Sequence, residues 1–198
     1  CLLVLGLAGI GWEKQPQETY TGTQKTILLV DQSLSLYATD IRPNRLTRMK
    51  QKVRDFLRLN KEGEVALVAY AGDAYVISPF SQDKATLTHF LLALDPTIMP
   101  LYGSNLTDGV QTAVSLIDSP DSPTHLVIFT DDVKGSEISV IQSILKPYQI
   151  RLDIVGLGTT DGGIIQLPNG NQLKKQNGEL VTPELPESDL RLLAKQAG

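Results

Sequence analysis

The chain has 198 residues, 41% of them hydrophobic and 20% charged, with a net charge of −4. That length carries one α/β domain with a substantial core, and the acidic balance provides no global basic field to attract nucleic acid. Cys1 is the only cysteine, which excludes an internal disulfide and a zinc cluster.

Residues 1–12, CLLVLGLAGIGW, are almost wholly apolar. The run is shorter than the roughly 20 residues a bilayer span needs, so it reads as the end of a longer membrane segment with Trp12 near the interface. The other reading is a buried N-terminal strand or helix. Residues 13–25 are polar and read as a linker, which leaves residues 26–198 as the folded domain.

Ile27-Leu28-Leu29-Val30 is a continuous apolar run that ends in Asp31. Such a run without alternation reads as a strand buried on both faces, as in a parallel sheet. Ser33 and Ser35 follow at alternate positions. If the backbone stays extended there, Asp31, Ser33 and Ser35 point the same way. They are all hard oxygen donors, suited to Mg²⁺, Mn²⁺ or Ca²⁺ rather than to soft metals. On its own, Asp-x-Ser-x-Ser is also an ordinary loop composition.

An amphipathic helix is expected over roughly residues 44–60, with Leu46, Met49, Val53, Phe56 and Leu57 facing the sheet. Arg45, Arg48, Lys52, Arg54 and Arg58 fall mostly on other faces, which reads as a solvated surface. Glu64–Ala71 and Ala74–Phe80 read as strands joined through Gly72-Asp73, a hairpin that makes the sheet antiparallel at one edge. A helix follows from Asp83, its expected cap, to Leu94. Another is expected near Asn105–Ile117, with Leu106, Val110, Ala113, Val114 and Ile117 as its apolar face. His125–Thr130 is a second buried strand ending in acids, Asp131-Asp132. A helix over Glu137–Leu145 capped by Ser136, a strand over Ile150–Leu157, a small hairpin around Pro168-Asn169-Gly170 and a helix from Glu187 complete the chain. The glycines of Gly156–Gly162 have the wrong spacing for a dinucleotide loop.

Alternating strands and helices give an α/β fold: a doubly wound, Rossmann-like, mostly parallel sheet with one antiparallel edge strand and helices on both faces. Ligands of such sheets bind beyond the carboxyl ends of the strands. Asp31 and Asp131 would share that crevice if their strands are neighbours, and the loop at Gly103-Ser104 can add a hydroxyl.

On these residues the chain resembles the von Willebrand factor A domain family. That family carries a metal-ion-dependent adhesion site built from Asp-x-Ser-x-Ser, a Thr in a second loop and an Asp in a third. Asp31, Ser33 and Ser35 match the first element. Ser104 stands where the second usually has Thr, and Asp131 matches the third, with Asp132 in place of the usual Gly. The segments ATDIRPNRL, VALVAYAGDAYVISPF and LDPTIMPLYGS are similar to the Bat aerotolerance group of bacterial membrane proteins, its BatB-type members above all.

The resemblance implies a site for Mg²⁺ (or Mn²⁺ or Ca²⁺) in which Ser33, Ser35 and Ser104 bind directly and Asp31 and Asp131 act largely through water. Neutral direct ligands leave the cation seeking a carboxylate, so a partner protein's Asp or Glu completes the shell, with Asp132 as a modulator at the rim. It implies attachment to the bacterial inner membrane through flanking segments, a periplasmic face for the domain, and partners among other Bat-type proteins or a MoxR-type ATPase system. It also implies an interaction module rather than an enzyme, and no nucleic acid is expected. The competing readings are a degenerate scaffold without metal, and a metal-dependent hydrolase, which needs a base or nucleophile beside the metal.

Overall fold

The computed structural model describes residues 24–60 and 62–197. The apolar start and most of the expected linker lie outside the described residues. Among those described, no helix is long and apolar enough to cross a membrane.

Ten elements follow one another: β1 (Lys25–Asp31), α1 (Arg45–Leu59), β2 (Glu64–Tyr70), β3 (Ala74–Ser81), α2 (Lys84–Ala93), α3 (Leu106–Val114), β4 (Thr124–Thr130), α4 (Gly135–Leu145), β5 (Ile150–Gly156) and α5 (Glu187–Ala197). Short 3-10 turns lie at Leu34–Tyr37 and Pro96–Ile98. The sheet order is β3-β2-β1-β4-β5. β1 runs parallel to both neighbours and β4 parallel to β5, while β3 is the antiparallel edge. The mixed sheet expected from the chain is therefore the one observed.

β1 is central, and its side chains divide between two cores by the period-two rule. Ile27 and Leu29 join Ala66, Val68, Leu126 and Ile128 beneath apolar residues of α3, α4 and α5. Leu28 and Val30 join Val65, Leu67, Val127 and Phe129 beneath α1 and α2. Burying each such aliphatic side chain contributes about 1.5–3 kcal/mol. This two-sided burial makes the run read as apolar throughout, and it fixes where β1 ends.

Local signals set most helix starts. Asn44 accepts from the Thr47 N–H (2.8 Å) and Asp83 from the Thr86 N–H (3.0 Å), each cap worth about 1 kcal/mol. Two boundaries depart from expectation. α4 starts at Gly135 rather than after Ser136, because Glu137 reaches back to the Lys134 N–H (3.1 Å). α3 stops at Val114, where Leu116 and Ile117 bond back three residues and tighten the chain out of the helix. The expected hairpin near Pro168 is a turn closed by one bridge, Gln166 to Gln172. Together with a second bridged turn, Lys174 to Leu180, it belongs to an excursion between β5 and α5 that Ala38 and Ile165 pin to the end of the first 3-10 turn.

Candidate metal centre

The carboxyl ends of β1, β2 and β4 lie side by side. In the β1–β2 register Asp31 faces Tyr70, and in the β1–β4 register Val30 faces Phe129. Asp31 and Asp131 therefore come to one crevice, as the sequence implied.

Asp31 is fully buried. Its Oδ1 accepts from the Ser33 N–H (2.6 Å), and its Oδ2 accepts from the Tyr70 hydroxyl (2.9 Å), with Thr130 Oγ1 3.2 Å away. All of these partners are neutral. Burial, and then the charge of Asp131, push Asp31 up to about 7. Burial and the Asp31 charge raise Tyr70 well above its ordinary range, so it remains a donor.

The two serines converge by a different route from the one expected. The extended backbone stops at Ser33, and a 3-10 turn begins at Leu34. That turn, closed by Leu36 N–H to Ser33 C=O, brings Ser35 Oγ to 2.7 Å from Ser33 Oγ. Ser35 donates to Asp131 Oδ1 (2.9 Å). Its one hydroxyl hydrogen is then used, so Ser33 donates to Ser35. Asp31, Ser33, Ser35 and Asp131 thus form one contiguous oxygen cluster.

The second loop is held against β2. Gly72 N–H bonds to Leu101 C=O (3.0 Å) and Asn105 N–H to Ala71 C=O (2.8 Å). Gly103 adopts φ +144°, and a Cβ there would lie 3.3 Å from Gly72 Cα, so this close approach needs glycine. Ser104 follows it. Its carbonyl accepts from Lys134 Nζ (2.9 Å), which ties the second loop to the third. Its hydroxyl makes no hydrogen bond among the described residues, so the structure brings the Ser104 backbone to the site's rim without placing its Oγ in the cluster. Asp132 is half-buried at the same rim. No non-glycine residue described has positive φ, so Asp132 in place of Gly costs no backbone strain.

The largest departure from expectation is Arg45. It belongs to no solvated face: it is fully buried, whereas Arg48, Lys52, Arg54 and Arg58 are exposed. Its Nη1 donates to Asp131 Oδ2 (2.8 Å), and its Nε and Nη2 grip Asp40 (2.9 and 2.7 Å). Nη2 also donates to the Pro183 carbonyl (2.6 Å). Burial alone would raise Asp40, but Arg45 and the Thr159 N–H outweigh it and hold its carboxyl below the usual range. Burial also raises Asp131, which Ser35 and Arg45 offset only in part. One local signal pointed to Arg45. A cation in the first turn of a helix opposes the helix dipole, and a broken local rule often marks a functional site.

The donor set fits a hard divalent cation. It contains only oxygens, and Asp31 is a buried carboxylate without a cationic partner. Among the described residues no group of three or more His, Cys, Asp or Glu is arranged to hold a metal, so serine hydroxyls would have to contribute. Gln32, between Asp31 and Ser33, is fully buried with neither amide atom bonded to protein. His125 is occupied elsewhere, with Nε2 2.7 Å from Asp153.

A family model for the von Willebrand factor type A domain matches residues 26–135. An uncharacterized protein of Borreliella burgdorferi is 25% identical over 166 residues, covering 81% of this chain and 48% of its own length. A UPF0353 protein of Mycolicibacterium paratuberculosis is 23% identical over 186 residues, 87% of this chain and 53% of its own length. The chain therefore spans about half the length of these curated relatives. Among solved structures, BatB of Bacteroides thetaiotaomicron superposes with a TM-score of 0.80 at 20% identity, covering 88% of this chain and 86% of that one. An aerotolerance-related membrane protein of Bacteroides fragilis gives 0.80 at 21%, covering 88% of both chains. At these identities the likeness is one of fold.

Proposed function

Because this chain belongs to the von Willebrand factor type A domain family, we propose that it is a divalent-metal-dependent protein-interaction module. Asp31, Ser33, Ser35, Ser104 and Asp131 would hold Mg²⁺, or Mn²⁺ or Ca²⁺ in its place. The observation that carries this reading is the hydrogen-bonded cluster of Asp31, Ser33, Ser35 and Asp131 at the ends of two neighbouring strands. Ser33 and Ser35 are neutral donors held within reach of one another, and Asp31 is a carboxylate with no cation of its own. A bound cation supplies a Lewis-acidic position that an Asp or Glu of a partner protein can complete. Tyr70 and the Ser33 N–H orient Asp31, and Arg45 orients Asp131. The activity is recognition, with no reaction catalysed.

The fold shared with BatB and with an aerotolerance-related membrane protein supports assigning the module to a Bat-type protein. It would be attached to the bacterial inner membrane by flanking segments and face the periplasm. Other Bat-type proteins or a MoxR-type ATPase system are the partners to test first. Calorimetry with Mg²⁺ and Mn²⁺ on wild type and Asp31→Ala tests the metal: binding is expected in the first and lost in the second, and equal affinity refutes the assignment. Partner capture should be released by EDTA, restored by Mg²⁺ and nearly abolished by Ser33→Ala. A second reading, a scaffold without metal, is favoured by one observation: Arg45 already provides Asp131 with a cation. It predicts no heat with either ion.

A further inference from the structure

Two ionisable side chains of the oxygen cluster, Asp31 and Asp131, are backed by two more, Arg45 and Asp40, with Arg45 bridging Asp131 to Asp40. Asp31, Asp40, Asp131 and Arg45 are each 3% exposed or less. Three carboxylates against one guanidinium leave a formal charge of −2 in a buried place, where charge interactions are screened far less than at the surface. We propose that the Arg45–Asp40 pair sets this charge and thereby matches the centre to a divalent cation; Arg45 and Asp40 are positioning residues and not ligands. The proposal rests on the metal-binding reading above and adds what tunes it.

The geometry supports the assignment in three ways. First, Arg45 engages Asp131 through Oδ2 alone, so Oδ1, shared with Ser35, remains on the side of the cluster. Second, Arg45 cannot turn to neutralise Asp31. Two bonds to Asp40 and one to Pro183 C=O fix the plane of its guanidinium. Gly158 closes over it with φ +139°, so tightly that a Cβ there would lie 2.7 Å from Arg45 Cζ. Third, Asp40 is directed away from the serines. Its other contacts are the Ile41 N–H (3.1 Å) and the Thr159 N–H (2.7 Å) and hydroxyl (3.1 Å). Asp40 thus adds charge to the centre without adding a ligand. Without Asp40 the buried charge would be −1, and without Arg45 it would be −3. Without both it would again be −2.

That arithmetic separates an electrostatic role from a merely structural one. Mg²⁺ is titrated calorimetrically, and Tb³⁺ by luminescence, into the 198-residue chain as wild type, Asp40→Asn, Arg45→Met and the double variant. Asp40→Asn should weaken Mg²⁺ about tenfold, and Arg45→Met should tighten it by a similar factor, as expected for one charge acting across a partly screened interior. Tb³⁺ should gain more than Mg²⁺ from Arg45→Met, since the centre then carries −3. The double variant should return to within about threefold of wild type for Mg²⁺. If Arg45→Met does not fold, weakening in Asp40→Asn and recovery in the double variant still support the proposal. A double variant as weak as Asp40→Asn, or Asp40→Asn binding as tightly as wild type, overturns it. A wild-type chain that binds neither ion overturns the metal reading itself, a different result from binding that ignores both substitutions.

Discussion

Asp31 ends β1 and Asp131 directly follows the neighbouring parallel β4; both are buried, and each bonds one member of a hydrogen-bonded pair of serines, Asp31 the Ser33 N–H and Asp131 the Ser35 hydroxyl. Their electrostatic surroundings are opposite. Asp131 has a guanidinium 2.8 Å away, while Asp31 has a backbone N–H and hydroxyls. Two strand ends with the same letter therefore do different work. Asp131 is anchored by Arg45 and Ser35. Asp31 is the acid whose charge remains to be met, which makes it the residue through which a cation would be sensed. The difference comes from α1, whose first residue crosses beneath the crevice, and not from the strands.

The comparison breaks most sharply when the anchor is removed. Arg45→Met leaves Asp40 and Asp131 buried without a counter-charge, so in the absence of metal it should cost about 3–5 kcal/mol of folding stability. Urea denaturation in EDTA measures this, and excess Mg²⁺ should restore part of the loss. A loss below 1 kcal/mol would mean that the pair is solvated and the contrast with Asp31 is unfounded.

The next test runs in the opposite direction. Asp31 sits near 7 in the folded chain against 3.8 ordinarily. Between those values the folded state keeps a proton that the unfolded chain has released, so metal-free stability falls as pH rises from about 4 to 7 and stays low above it. Asp31→Asn removes that penalty. In EDTA at pH 8 it should be more stable than wild type by about 2 kcal/mol, with the gap closing toward pH 5. Asp131→Asn should be destabilised at both pH values, because it leaves Arg45 half-partnered. Thermal melts of the two variants across pH settle which acid lacks a counter-charge.

Much of this site was legible in the chain, and the reasons are local. Ile27–Val30 and Leu126–Phe129 are apolar throughout because they are buried on both faces; the first run stops at Asp31, and the second is followed by Thr130 and then Asp131. Asp83 read as a cap because its side chain bonds within its own helical turn. Arg45 was not legible in that way. Its partners lie 5, 86 and 138 residues away, at Asp40, Asp131 and Pro183, and no periodicity in α1 reports them. Periodicity assigns α1 a surface-facing Arg45, and only its position against the helix dipole hints otherwise. Tyr70 was hidden for a related reason. Strand alternation places its ring, but the partner of its hydroxyl depends on which strand lies beside β2. The hydroxyl of Ser104 lies at the limit of the motif itself, since backbone contacts at Leu101 and Asn105 hold the loop on either side of it and its own side chain makes no hydrogen bond among the described residues.

A smaller effect sharpens the contrast from the side of Asp31. The Tyr70 hydroxyl donates to Asp31 Oδ2 and is fully buried. Tyr70→Phe should cost about 1–2 kcal/mol at pH 8, where Asp31 is charged. In an Asp31→Asn background the cost should shrink, since the bond then lacks its charged acceptor. Equal costs in both backgrounds, read from a double-mutant cycle, would assign the hydroxyl to Thr130, 2.8 Å away.

The smallest expected effect lies at the rim and concerns the proposed carboxylate ligand. Asp132 is half-buried beside Asp131, where it adds negative charge without joining the Ser33–Ser35 cluster. An incoming Asp or Glu would gain a bond to the cation and meet repulsion from Asp132. In high dielectric that repulsion is worth about 1 kcal/mol or less, and it fades as the Debye length falls from about 30 Å at 0.01 M salt to about 3 Å at 1 M. Asp132→Gly should therefore tighten Mg²⁺-dependent capture of a carboxylate-bearing partner by up to about fivefold in dilute buffer, with the gain lost by 1 M salt. Backbone strain does not confuse the reading, because Asp132 occupies an ordinary negative-φ conformation that glycine also adopts. Surface-immobilised binding over a salt series is the measurement. A gain that persists at high salt would mean that the substitution acts through loop shape. No gain at any salt would place Asp132 outside the path of the ligand, and the approach would then have to run over Ser104 and the second loop.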